Sequence, residues 1–222
     1  MITKMPDNAS SESWRMFRVM SEFVDGIQTM SNLGPCVSIF GSARTPADDK
    51  YFKQAIEMGR ICAENGYGVI TGGGPGIMEA AHIGAREAGG QAIGLNIELP
   101  MEQFPNKYQN VKLDFHYFFV RKVMFLRYST AVVICPGGFG TLDELFEALT
   151  LIQTNKTLGV PLILLGKDFW AGMIDWIKQK MLVENKYISP EDPDLFHITD
   201  DPKEAIEIIN RFNKERKTTE NF

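Results

Sequence analysis

The segment Pro136-Gly137-Gly138-Phe139-Gly140-Thr141-Leu142-Asp143-Glu144 joins a run of glycines to a pair of carboxylates, and that combination suits chemistry on a phosphorylated ligand. Glycine lets backbone N–H groups approach an anion closely, and a helix that starts there adds partial positive charge. Two further glycine clusters, Gly41 with Ser42 and Gly72 to Gly76 (Gly73 and Gly74 at its centre), also follow apolar runs. In an open α/β sheet the ends of such strands form the ligand-binding edge. The alternative is that these glycines only make tight strand-to-helix turns. Glu144 has two readings as well. Thr141-x-x-Glu144 is a capping-box pattern, in which Glu144 closes its own helix. The same position also holds a carboxylate beside the glycine loop, with Glu147 one turn on, and like charges that close raise each other's pKa.

A second candidate is Arg121, in the run Phe118-Phe119-Val120-Arg121-Lys122-Val123-Met124-Phe125-Leu126-Arg127-Tyr128. A helix so apolar is buried, here or in a subunit interface. Its guanidinium then needs an anionic partner, either a structural carboxylate or a ligand phosphate. Lys122 can snorkel to solvent. The histidines, His82, His116 and His197, show no metal-ligand spacing, and the cysteines, Cys36, Cys62 and Cys135, add no cluster. No metal site and no cofactor are expected. Two common nucleotide loops are missing: there is no G-x-x-x-x-G-K-[ST], and Gly41-Ser42-Ala43-Arg44 is not G-x-G-x-x-G.

These groups need elements to hold them. Short apolar runs alternate with helical stretches through the chain: strands at Cys36–Phe40, Gly68–Ile70, Ala92–Leu95, Val111–Phe115, Ala131–Ile134, Val160–Leu165 and Phe196–Ile198. Runs apolar throughout belong to strands covered on both faces, so the spacing predicts an α/β fold: a doubly wound parallel sheet with helices on both sides. Residues 97–110, with Pro100 and Pro105, read as a long loop of the kind that serves binding. The domain plan is a helical extension over 1–34, one nucleotide-binding domain over 35–212 and a polar tail over 213–222. With 44% hydrophobic and 23% charged residues and a net charge of −5, a broad nucleic-acid surface is disfavoured. The start lacks a signal-peptide core and no apolar stretch nears the roughly 18 residues of a membrane helix. The expectation is a cytoplasmic protein with neither a nucleic-acid nor a membrane partner.

The glycine segment Gly72-Gly73-Gly74-Pro75-Gly76-Ile77-Met78, the Arg121-Lys122 pair and the P-G-G-x-G-T-x-x-E motif ending at Glu144 together resemble the Lonely Guy (LOG) family, often labelled lysine decarboxylase-like. The resemblance runs from about Cys36 to Asn210, and the N-terminal helix with Phe115-His116-Tyr117-Phe118-Phe119-Val120 is similar to the family's longer bacterial branch. It implies a Rossmann-like fold, a homodimer or higher oligomer, and cleavage of the N-glycosidic bond of AMP or a cytokinin riboside monophosphate, giving free base and ribose 5-phosphate. By motif position it implies Arg121 and Glu144 as the catalytic pair. It also implies Gly137, Gly138, Phe139, Gly140 and Thr141 about the phosphate, with Gly41, Ser42, Gly73, Gly74, Lys122, Pro136, Asp143 and Thr150 near substrate and Glu102 as an acidic contact. The loop Glu98-Leu99-Pro100-Met101-Glu102-Gln103 departs from the plant pattern. A non-catalytic carrier of a nucleotide or nucleotide-like cofactor would show the same glycine edge.

Overall fold

The apolar runs pair edge to edge. A computed structural model describes residues 9–99, 104–157 and 159–215. Its strands are β1 (Cys36–Phe40), β2 (Gly68–Thr71), β3 (Ala92–Ile97), β4 (Val111–Phe115), β5 (Ser129–Ile134), β6 (Leu162–Leu165) and β7 (His197–Thr199). They form one sheet in the order β4-β3-β2-β1-β5-β6-β7, every pairing parallel. The chain winds outward from β1 to β4, returns to lie beside β1 as β5, and winds out the other way. This is the doubly wound, Rossmann-like arrangement, with its switch point between β1 and β5.

Side-chain alternation along the strands feeds two cores. Val37 and Ile39 of β1 face α2 (Lys50–Glu64), α3 (Ile77–Glu87) and α7 (Pro202–Glu215), packing with Phe52, Ala80 and Ile206. Cys36 and Phe40 face the other way, towards α4 (Phe118–Arg127), α5 (Phe139–Gln153) and α6 (Lys167–Trp176), with Phe125, Leu145 and Trp170. α6 runs on as wider π-type turns over Ile177–Glu184, inside what reads in sequence as a single helix. The first helix, α1 (Ala9–Met30), lies on α4 and buries Val19 and Met30 in the second core.

One boundary differs in a way that matters. The capping-box pattern predicts that α5 begins after Thr141. Instead Gly138 is its N-cap and Phe139 its first residue, with no side chain capping it. Thr141 is already inside the first turn, so it does not cap, and Glu144 is released from the reciprocal bond that the pattern implies.

Candidate active site

The switch point brings the ends of β1 and β5 together. Ser42 N–H donates to Pro136 O at 3.0 Å, tying the first glycine turn to the last. Gly41 and Gly137 are demanded by this packing: a Cβ on the first would lie 2.5 Å from Ile77, and on the second 2.1 Å from Thr141 Oγ1. Gly138 and Gly140 are different. Neither has a positive φ, and a Cβ on either would meet no atom within 4 Å. The fold does not need glycine there; the bare backbone at the start of α5 opens onto a cleft. Gly41, Ser42, Arg44, Gly72, Arg121, Gly138, Phe139, Gly140, Thr141, Asp143 and Glu144 line that cleft, whose volume is about 600 Å³.

Glu144 is the least comfortable group in it. Its side chain is 12% exposed. Its Oε2 is buried with no hydrogen-bond partner among the described residues. Burial pushes its pKa up to about 7; the Lys122 ammonium opposes this, Glu147 adds to it, and Arg121 and Asp143 contribute less in opposite senses. Lys122 does not snorkel. Its Nζ lies 2.7 Å from Glu147 Oε2, 2.8 Å from Asp143 Oδ2 and 3.8 Å from Glu144 Oε1. Burial works against its charge, but the bonds to Asp143 and Glu147 outweigh that and its pKa stands above the ordinary lysine value.

Among the described residues no carboxylate holds Arg121. Its Nε donates to Leu95 O at 2.8 Å, its Nη2 reaches Gly72 O at 3.5 Å, and its Cζ sits 5.2 Å from the centre of the Phe125 ring. Burial pulls its pKa down to about 10, offset in part by the charge of Glu144. Of the two partners open to this guanidinium, the structural carboxylate is not found among the described residues; backbone carbonyls orient it instead. Among the described residues no opposite charge reaches it at contact distance, and it lines the cleft.

Residues 78–209 match the family described as "Possible lysine decarboxylase". This protein belongs to the Lonely Guy family. Among curated relatives, the cytokinin riboside 5′-monophosphate phosphoribohydrolase of Mycobacterium tuberculosis is 28% identical over 172 residues, spanning 74% of this chain and 88% of that one. Among solved structures, the X-ray structure of the structural-genomics target TM1055 is 30% identical with a TM-score of 0.60, covering 80% of this chain and 99% of its own. The molybdenum cofactor binding protein of Rippkaea orientalis shares the fold at 24% identity and a TM-score of 0.60, covering 81% and 97%.

Other family positions fall elsewhere. Gly73 and Gly74 line an adjoining cavity of about 340 Å³ with Asn96, Glu98 and Asp114, next to the main cleft through Gly72. Pro136 is buried and acts through its carbonyl. Thr150 does not reach the cleft: its hydroxyl donates to Phe146 O at 2.7 Å, on an outer face shared with Lys122 and Glu147. Glu102 lies outside the described residues. Of the histidines, His82 is buried between Thr71, Asn106 and Ile93 O, while His116 is exposed and paired with Glu22 and Glu98.

Two features escape a reading by motif. Gly72 leaves the space Arg121 occupies, since a Cβ there would lie 2.4 Å from Nη2. Asn106 and Gln109, from the long loop, turn back under the second glycine cluster. The Asn106 amide donates to Gly73 O and Gly74 O, and that of Gln109 to Gly73 O at 2.7 Å. The only sequence signal for them is amide-bearing side chains in a segment too long for a simple connection.

Proposed function

We propose that this protein is a nucleoside 5′-monophosphate phosphoribohydrolase, hydrolysing the N-glycosidic bond of AMP or a cytokinin riboside monophosphate. The observation that carries the reading is Glu144: a buried carboxylate with one oxygen unpartnered among the described residues, opening on a cleft whose rim is bare glycine backbone. A carboxyl left orphaned in a fold costs stability, and such strain concentrates at sites of chemistry. The relatives named as phosphoribohydrolases support the same reading.

In the proposed reaction the phosphate sits at the start of α5, where the Phe139 and Gly140 N–H groups precede the first helical bonds, those of Thr141 and Leu142 to Gly138 O at 3.0 Å. The ribose then lies against Glu144. With a pKa near 7 this group is poised at neutral pH between its two protonation states. Its ionised form takes a proton from water as that water attacks C1′. The C1′–N bond breaks with its electron pair passing to the base, which takes a proton from solvent, and Glu144 returns to solvent the proton it accepted. The same negative charge stabilises the oxocarbenium-like ribose. Arg121, tied to the β2–β3 side of the cleft, answers the charge developing on the departing base. The decarboxylase label fits poorly: a Schiff-base lysine is made reactive by a lowered pKa, and Lys122 is held charged by two carboxylates. A non-catalytic binder of a nucleotide-like cofactor, as the molybdenum cofactor binding protein of Rippkaea orientalis is named, would share the glycine edge but have no use for a buried Glu144 Oε2 without a partner among the described residues.

The test is incubation with AMP and with adenosine, followed by chromatography for adenine. Release from AMP and a loss of roughly 30-fold or more with adenosine is the expected result, since an emptied phosphate cradle forfeits about 2–5 kcal/mol. No adenine from either, with AMP still bound, would favour the carrier.

A further inference from the structure

Helix α4 carries Arg121 and Lys122, yet its own sequence starts it badly. The N-cap is Tyr117, which makes no side-chain cap bond, and the first turn holds no acidic residue. A Ser, Thr, Asp or Asn would ordinarily serve here. The cap comes from α1 instead. Glu22 Oε1 accepts from His116 N–H at 3.0 Å, and Glu22 Oε2 accepts from Tyr117 N–H at 3.2 Å. This is the role that the back-reaching carboxylate of a capping box plays within one helix. The Glu22 side chain is 13% exposed, and its Oε1 lies 3.2 Å from His116 Nδ1. Its negative charge stands at the positive end of α4. Gly26, one turn on, seats α1 tightly: a Cβ there would be 2.9 Å from Met124 Sδ.

Arg121 is the residue this cap controls most directly. Its N–H closes the first helical bond, to Tyr117 O at 3.2 Å. Its guanidinium threads a slot bounded by Leu95 O, Gly72 and the Phe125 ring. A small shift of the first turn moves the guanidinium out of that slot. Glu22 lies outside residues 78–209, the segment matched to the family.

We propose that Glu22 is a positioning residue for Arg121, so that the N-terminal helix supplies from outside the family segment the anchor that holds the cationic group in register with the cleft. This rests on the reading of Arg121 as part of the reaction. A purely stabilising Glu22 would change melting temperature and leave turnover per folded molecule alone.

The experiment compares Glu22→Gln in the native chain and in an Arg121→Lys background, with Glu22→Asp held in reserve should the Gln variant not fold. The Gln side chain keeps the shape but points an amide donor at a backbone N–H. The readouts are kcat and KM for AMP, and the 1H–15N signal of Arg121 Nε, assigned by its loss from Arg121→Lys. Expected are a fall in kcat of about tenfold or more, since misplacement by about 1 Å is costly, a KM within about twofold, and no further fall in the Arg121→Lys background. The Nε signal shifts and loses exchange protection. Unchanged turnover, additive losses or an unmoved Nε signal would overturn the proposal. If the unaltered protein releases no adenine, the catalytic reading fails separately, and the Nε signal still decides whether Glu22 positions Arg121.

Discussion

Lys122 Nζ stops 3.8 Å from Glu144 Oε1 while contacting Glu147 and Asp143 at 2.7 and 2.8 Å. The ammonium spends its hydrogen bonds on the neighbours and offers Glu144 only a field. That field is too weak to undo burial, so Glu144 titrates near neutrality rather than near a carboxylate's ordinary 4.5. Glu144→Gln should therefore split activity from stability. Turnover should fall by roughly 10²–10⁴-fold, because an amide neither accepts water's proton nor stabilises positive charge. Stability should move the other way. Below pH 4.5 the group is protonated folded and unfolded, and native and variant proteins should match. Between 4.5 and 7 the unfolded chain ionises first, so the native protein loses stability as pH rises. Above 7 the accumulated cost is about 3 kcal/mol at most. Melting curves at pH 4.5 and pH 8 check this: the advantage of the Gln variant should appear only at pH 8.

Replacing Lys122 by Met should move the pH profile. The lysine lowers the pKa of Glu144, so its loss leaves burial and the charge of Glu147 opposed by the weaker field of Arg121 alone. The limb of the kcat/KM profile that reports Glu144 should shift to higher pH, and at pH 7 less of the carboxylate should be ionised. A limb that stays in place would assign it to another group.

Gly72→Ala probes the slot. The added Cβ would lie 2.4 Å from Arg121 Nη2 and 2.9 Å from Met78 Sδ, so the guanidinium must leave. Turnover should fall by about 100-fold with the sheet intact, because displacing a catalytic group by about 1 Å has that effect. Circular dichroism and AMP kinetics on the same sample separate this from unfolding.

The sheet was legible because its strands are covered on both faces and so read as unbroken apolar runs, as in Ala131 to Ile134. The glycine-lined cleft was legible because glycine clusters stand at strand ends. The start of α5 was misplaced because Gly138-Phe139-Gly140 carries no apolar period, leaving Thr141 as the first conventional cap. Lys122 was misjudged because its partners lie on another helix; Asp143 and Glu147 are a turn apart in sequence but 21 and 25 residues from the lysine. Glu22 was invisible for the same reason, capping amides 94 and 95 residues away. Short-range patterns report faces and caps within one element, and the polar contacts that tune this site run between elements.

α1 lays one side on α4, through Val19, Gly26 and Met30. Its other side is a second apolar stripe, Trp14, Phe17, Met20, Val24 and Ile27, at helical spacing and open to solvent. On α4, Phe119 and Val123, one turn apart, are exposed too, as are Phe139 and Phe146 on α5. Isolated exposed apolar residues are ordinary, but stripes on neighbouring helices mark a surface that another subunit covers. A two-fold pairing would bury them in a self-complementary interface, and a stable one covers upwards of about 1,000 Å². Sedimentation should give about twice the 25.0 kDa of one chain at micromolar concentration. Val123→Glu should shift that value towards the single chain, because a buried, unpaired carboxylate in an apolar interface costs several kcal/mol. Glu at Lys178, an already polar position, should leave assembly unchanged. A native protein that sediments as a single chain would show that these stripes serve some other contact.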